Sequence, residues 1–493
     1  MSAREGEERR RLAHAAQHAR GTVIPPAAGS AVGPLAVGLA TPSRPAVSGP
    51  LLGGPRPAWA ALYWNVLAFL GSTPLLPIPT PLGQLIAQVM LPLAVVLALL
   101  ANPGVVIRPN VVLFLISLMA LEALLAGFHG DFPVGSTYRA VRLLLFVVVL
   151  WLLTPWWGRQ DLPLLYAHLF CQRVILASVL VGAAVAWGSA HSIDGRLRGA
   201  LWPIPPPQVA HYAAVLLGCT TVLWFCGALK QRTMILTLLA TAFALIDSHT
   251  RTALAGLVVG LLVAGASLFV GHARVRRTTA VVAVLAAFLG AVFSPFLSAW
   301  LSRGQTAEDT RQLTGRTKVW TAALEEPRTW IEEAFGRGLT NKSFNGLPVD
   351  SNWVATYLDQ GLFGVGLVIA FLLTLGLTVL TRPRGPRRAV ALFLLAYCVV
   401  ASFTETGLGD ASPYLLEVVV AASVLAAPPA SRASGGPNRA PPRIFRRRSI
   451  AAGPVRSPSR DTPPVHEEAS QPETGRPGGA DREAAAGEWH DRG

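Results

Sequence analysis

Asp350 and Ser351 stand directly before a long apolar run. A carboxylate at such a place can act as general base on a sugar hydroxyl. Asp and Ser are equally the residues that cap a helix start, where the first N–H groups need acceptors, and the residues alone favour the cap. Arg251, within Ser248-His249-Thr250-Arg251-Thr252, heads another apolar run. Its guanidinium can snorkel to lipid headgroups or grip a phosphate; simple anchoring fits it equally well. Arg139 and Arg142, at the start of a third run, are candidates for phosphate binding on position alone. Gly315-Arg316-Thr317-Lys318-Val319-Trp320 opens a polar stretch in which Trp320, Leu324, Trp330 and Ile331 are spaced as on an amphipathic helix. Such a helix can lie flat on a leaflet with Glu325, Glu326, Glu332 and Glu333 toward water. Gly336-Arg337-Gly338 has a backbone able to approach an anion, although a single Gly-x-Gly is weak evidence. Glu122, alone in an apolar run, is expected to form a structural pair with Arg142. His129, His191, His211 and His249 are expected to be hydrogen-bonded residues near a membrane interface; their spacing predicts no metal site.

These residues are carried by a greasy chain. Its 493 residues are 52% hydrophobic and only 14% charged, with a mean hydropathy of +0.45. A water-soluble protein of this length would carry a more polar surface. Apolar runs of roughly the 20 residues needed to cross a bilayer recur instead. About twelve spans are expected: 59–77, 82–101, 110–128, 140–157, 172–189, 208–228, 233–248, 252–270, 278–300, 353–380, 389–405 and 411–428. Residues 161–170 read as an interfacial segment. Residues 1–57 and 429–493 are Pro-, Gly- and Arg-rich and are expected to be disordered and cytoplasmic, flanking a transmembrane domain over 58–428. No apolar h-region precedes the first span, so no secretory signal peptide is expected. The four cysteines (Cys171, Cys219, Cys226, Cys398) sit in or beside apolar runs and read as small buried hydrophobes.

The net charge of +15 does not indicate a nucleic-acid partner, because the cations lie in tails and short loops and not on one face of a domain. All but three of the 42 basic residues are arginine, so an arginine by itself says little about phosphate. The loop cations set an orientation. Arg108, Arg159, Lys230, Arg274, Arg382 and their neighbours mark one side, and Asp131, Asp194, Glu405 and Asp410 mark the other. With cations inside, both termini are cytoplasmic and the one long polar loop, 301–352, is extracytoplasmic. No ATP or nucleotide sugar is available there, so chemistry in that loop must use a pre-activated substrate delivered by the membrane.

The order of motifs resembles the O-antigen ligase and polymerase family. Ser-x-Thr-Arg-Thr precedes one span, Gly-Arg-Thr-x-x-Trp lies in the long loop, and the pair Asp350-Ser351 is followed after nine residues by Gly361-x-x-Gly364. The usable motifs cover roughly 200–380. That resemblance implies a polytopic transferase acting on glycans linked to undecaprenyl pyrophosphate. It places Arg251 and Arg316 at the pyrophosphate and Asp350 where the ligases carry a histidine. No histidine occurs between 301 and 364, which favours a polymerase or a divergent transferase with Asp as base. The expectation is therefore an all-α multi-pass glycosyltransferase of the cytoplasmic membrane. Its partners would be a lipid-linked donor, a glycan or lipid acceptor, and membrane lipid, with neither cofactor nor metal. A transporter or flippase for lipid-linked oligosaccharide is the rival class, and an inactive scaffold for envelope assembly a third. Transporters tend to show internal repeats and broken helices, and no convincing repeat is seen between the halves.

Overall fold

The computed structural model describes residues 54–67, 75, 78–129, 132–302, 316–340 and 342–428. The expected disordered tails lie outside these residues except for 54–57, as do residues 303–315, Gly315 among them. Helix accounts for 72% of the described residues. Their one sheet is a hairpin of two short strands, β1 (Ser343–Phe344) and β2 (Leu347–Pro348).

The helices follow the apolar runs: α1 Arg56–Asn65, α2 Thr80–Ala101, α3 Val111–Gly127, α4 Pro133–Leu152, α5 Pro163–Val185, α6 Pro206–Phe225 and α7 Gln231–Asp247. Then come α8 Arg251–Leu268, α9 Ala273–Ser302, α10 Arg316–Glu325, α11 Trp330–Phe335, α12 Asn352–Thr381, α13 Pro386–Ala401 and α14 Pro413–Leu425. Their starts are chemically marked. Proline opens α4, α5, α6, α13 and α14, where a missing N–H loses nothing. The side chains of Asn110 and Ser412 accept from the first-turn amides of α3 and α14.

Among the described residues six helices (α2, α4, α5, α6, α8 and α12) are long and apolar enough to cross a membrane, and α3 and α14 are apolar but shorter. Large apolar side chains also point away from the bundle: Leu100 is 62% exposed, Leu236 68% and Val284 70%. Water would not tolerate such a surface, and the apolar helices suggest a membrane-embedded protein.

Several boundaries differ from the expected ones. α1 begins at Arg56 and holds 10 residues, where a span over 59–77 is expected. α4 starts at Pro133, ahead of 140, because Pro133 supplies a first helical position. Residues 163–170 are no interfacial segment; they are the first turns of a continuous α5. The proposed flat helix is two short ones. Pro327 cannot continue a helix from its predecessor, and Thr329 starts α11 with a capping box to Glu332.

Small residues let the helices approach. Gly256 and Gly260 lie one turn apart on α8 against α13. A Cβ at Gly256 would come within 2.8 Å of the Tyr397 ring, and one at Gly260 within 2.7 Å of the Phe393 ring. On α12 the glycines do different work. Gly361 and Gly364 read as a packing surface in sequence, but Gly361 breaks the helix, with φ +62° and ψ −164°. This left-handed region favours glycine. Around the break the carbonyls of Leu358 and Asp359 accept from the backbone N–H groups of Arg337 and Gly338, at 3.2 and 2.8 Å. The α11 segment is thereby docked on α12 through main chain.

Candidate functional site

The turn between α7 and α8 forms one wall of the site. The Arg196 guanidinium donates from Nε to the Ser248 carbonyl at 2.9 Å and from Nη2 to Thr250 Oγ1 at 3.0 Å. A neighbouring strap holds the same turn: the Leu197 N–H donates to the Asp247 carbonyl at 3.0 Å, and His191 Nε2 lies 2.8 Å from Asp247 Oδ2. Arg251 follows at the first position of α8. Its other neighbour, Thr252, shares a 2.6 Å hydroxyl contact with Thr404. Arg251 thus sits between a residue bonded to Arg196 and one bonded to the turn that carries Glu405.

The second wall is the described end of the 301–352 loop. Arg316 opens α10, and its Nη2 lies 3.1 Å from Asp350 Oδ2. Asp350 precedes Ser351, which is the N-cap residue of α12. The expectation that Asp350 caps the helix is therefore corrected: its carboxylate is turned to Arg316. Ser351 holds the cap position but its side chain makes no cap hydrogen bond, and it is buried. The turn after α13 is tied to α12 as well. The Asn352 N–H donates to the Ser402 carbonyl at 2.9 Å, and Asn352 Oδ1 accepts from the N–H groups of Gly407 and Leu408.

The charges at this end interact. Burial pushes the Glu405 carboxyl up to about 7; Arg316 pulls it down, Asp350 pushes it further up, and Arg196 pulls it down. Burial also raises Asp350 above the usual carboxylate range, with Arg316 opposing. Arg196 is lowered by burial, against the pull of Asp194 and Glu405. Two guanidiniums and two carboxylates therefore interact as one half-buried group. Such a set can bind an anion on its cations and accept a proton on its acids.

The remaining expected residues lie elsewhere. Arg139 donates to the Thr340 carbonyl and belongs to a second polar group. There Asp359 Oδ1 accepts from the Thr340 N–H at 3.2 Å and hydroxyl at 2.8 Å, and Lys342 Nζ lies 2.7 Å from Asp359 Oδ2. Burial alone would lower the Lys342 ammonium, but Asp359 and Asp410 hold it above its ordinary value. Arg142 is not the partner of Glu122. It donates from Nε to Asn65 Oδ1 and from Nη2 to the Asn65 carbonyl, joining α4 to α1. Neither carboxylate oxygen of Glu122 has a hydrogen-bond partner among the described residues. The Gly336-Arg337-Gly338 segment serves the α12 docking described above. Arg337 also pairs with Glu326 and Glu332, at 3.1 and 2.9 Å, so these acids do not simply face water.

Deep in the bundle is a third group that sequence reasoning missed. Glu417 of α14 is fully buried. His168 Nε2 lies 2.8 Å from Glu417 Oε2, Gln172 Nε2 donates to Oε1 at 3.0 Å, and His211 Nε2 lies 3.4 Å from Oε1. His211 Nδ1 meets the Tyr397 hydroxyl at 3.1 Å. His211 is therefore a core residue and not an interfacial one. Arg196 and Glu405 were also missed as site residues, since a charge in a short loop is the ordinary case.

No protein-family model matches the chain, and no curated protein sequence matches it either.

Proposed function

We propose that the chain is a membrane glycosyltransferase of the O-antigen ligase and polymerase type. In this reading it transfers or polymerises glycan from a polyprenyl-pyrophosphate-linked donor on the outer face of the cytoplasmic membrane, with both termini cytoplasmic. The observation that carries it is the 3.1 Å pair of Arg316 with Asp350, flanked by Arg196 and Glu405 and reached from the Arg251 turn. The motif order supports it, since residues singled out across a long stretch of sequence come to one end of the bundle.

The chemistry is a single displacement. The acceptor hydroxyl oxygen attacks the anomeric carbon as the bond from that carbon to the diphosphate oxygen breaks. The electron pair leaves on the polyprenyl diphosphate, whose growing charge Arg251 and Arg316 neutralise. The hydroxyl proton passes to a carboxylate. Arg316 is held by Asp350. An arriving diphosphate competes for Arg316 and frees Asp350, with Glu405 beside it as a second proton acceptor. A diphosphate is already a good leaving group, so the step calls on no cofactor. The partners are the donor, a glycan or lipid acceptor and membrane lipid, with no nucleic acid.

The test is chain-length analysis on membranes carrying Arg251→Ala, Arg251→Lys and Asp350→Asn. Loss of product in the Ala and Asn variants, with part retained by Lys, supports the reading. Wild-type product lengths from Arg251→Ala or Asp350→Asn would remove the clamp or the base.

Two observations favour a transporter as the second reading. α12 is discontinuous at Gly361, and Glu417, His168 and His211 place ionisable groups inside the bundle; both are common in transporters. Movement of a lipid-linked oligosaccharide across vesicles without chain extension would favour that class.

A further inference from the structure

At the end of the bundle opposite Arg316, two adjoining cavities open between α3, α12, α13 and α14. One, of about 640 Å³, is lined by Arg108, Asn110, Thr154, Thr374, Thr378 and Arg382 on its polar side. Val111, Val112, Leu375 and Leu425 form its apolar side. The other, of about 510 Å³, is lined by Arg382, Arg384, Arg387 and Arg388, and the two share Arg382 and Leu425. No described lining residue of either cavity is acidic.

The arginines here are positioned as well as numerous. Arg108 Nη1 donates to the Trp157 carbonyl at 3.3 Å, and its backbone N–H donates to Thr154 Oγ1. Arg388 Nη1 donates to the Arg382 carbonyl at 3.0 Å. The Nε atoms of Arg382 and Arg388 are buried and have no hydrogen-bond partner among the described residues. A buried donor without an acceptor is unfavourable unless something accepts from it. α13 begins at the same place. Its N-cap, Gly385, has no side chain to satisfy the first-turn amides, so the positive end of a helix faces the same space. Sorting of cations to one side of a membrane would explain arginines in these loops. It does not require a cavity, buried guanidinium nitrogens or an apolar wall.

We infer that these cavities bind an anionic phospholipid. Its phosphate lies among Arg382, Arg388 and the α13 N-terminus, and an acyl chain runs along Val111, Val112, Leu375 and Leu425. The site is separate from the Arg316–Asp350 pair and does not depend on the function proposed for it.

The test uses the full chain in neutral detergent, challenged with phosphatidylglycerol, phosphatidylcholine or inorganic phosphate. Native mass spectrometry reads lipid retention and a thermal melt reads stabilisation. Phosphatidylglycerol is expected to be retained and to raise the melting midpoint, and phosphatidylcholine is not. R382A/R388A is expected to weaken retention about thirtyfold, from roughly fivefold for each arginine near an anionic lipid. R276A/R277A removes the same charge from the exposed first turns of α9 and is expected to leave phosphatidylglycerol retention unchanged. Equal loss in the two double variants would reduce the effect to bulk charge and overturn the site. Equal stabilisation by inorganic phosphate would overturn the lipid assignment. If R382A/R388A does not fold, competition between the two lipids on the wild-type chain decides, and retention without preference overturns the proposal.

Discussion

Arg316 Nη2 and Asp350 Oδ2 lie 3.1 Å apart, joining the first residue of α10 to the residue before the α12 cap. The side chains remain 28% and 36% exposed, so solvent screens the pair and an incoming anion can reach it. Exposed pairs of this kind contribute about 0.2–1 kcal/mol. Arg316→Ala and Asp350→Asn are therefore expected to shift thermal stability by less than about 1 kcal/mol each. Both are expected to abolish chain extension. Membrane assays paired with melts check this, and a variant that melts normally and still extends chains removes the pair from the chemistry.

Glu405 supplies a pH signature. Its carboxyl is raised from 4.5 in the unfolded chain to about 7 in the fold, chiefly by burial. The folded state binds this proton more tightly, so stability is fullest below 4.5, falls as pH rises from 4.5 to 7, and is level above. The whole change amounts to roughly 3 kcal/mol. A proton acceptor of this kind also gives an extension rate that climbs through pH 7. Glu405→Gln is expected to flatten both profiles. A slope that survives the substitution belongs to another group.

The Glu417 cluster makes a stability prediction. Removing one partner of a buried ionic group leaves the others uncompensated, at about 3–5 kcal/mol. Glu417→Ala is expected to lose that much and to leave His168, Gln172 and His211 without their shared acceptor. Glu417→Met combined with His168→Leu and His211→Leu is expected to recover much of it, since apolar replacements of whole buried ionic groups are often tolerated. Melts of the single and triple variants check this. A triple variant no more stable than Glu417→Ala would show that the loss is one of packing.

Gly361→Ala tests the docking of α11. The added Cβ would lie 2.4 Å from the Ala334 carbonyl carbon and would take φ +62°. Strain and displacement together are expected to remove about 1–3 kcal/mol and to expose the 330–340 segment to protease. Gly366→Ala, with open space around its Cβ, is the control. Equal protease resistance in both variants would separate the break from the docking.

What the sequence revealed depended on contrast. Arg251 and Asp350 were legible because a charge at the edge of an apolar run stands out. Glu417 was not, since its meaning comes from His168, 249 positions away, and no spacing rule spans that gap. Position along the run points Arg142 toward Glu122. Which side of a helix a residue faces is settled by packing, and packing turned it to Asn65. The helix break at Gly361 was hidden for a simpler reason. A Gly-x-x-Gly pair is compatible with close packing or with a positive φ, and the letters do not distinguish them.

The hold of the 330–340 segment on α12 runs largely through peptide groups, from Arg337 and Gly338 to Leu358 and Asp359. Amides bind carbonyls whatever side chains they carry. Substitution there is therefore constrained mainly at Gly336 and Gly361, where the two backbones nearly touch, and at Gly338, which packs on Gly127 of α3. Apart from Thr340, whose hydroxyl donates to Asp359, and Phe335, whose ring meets Phe363, the other positions can diversify without loosening the attachment.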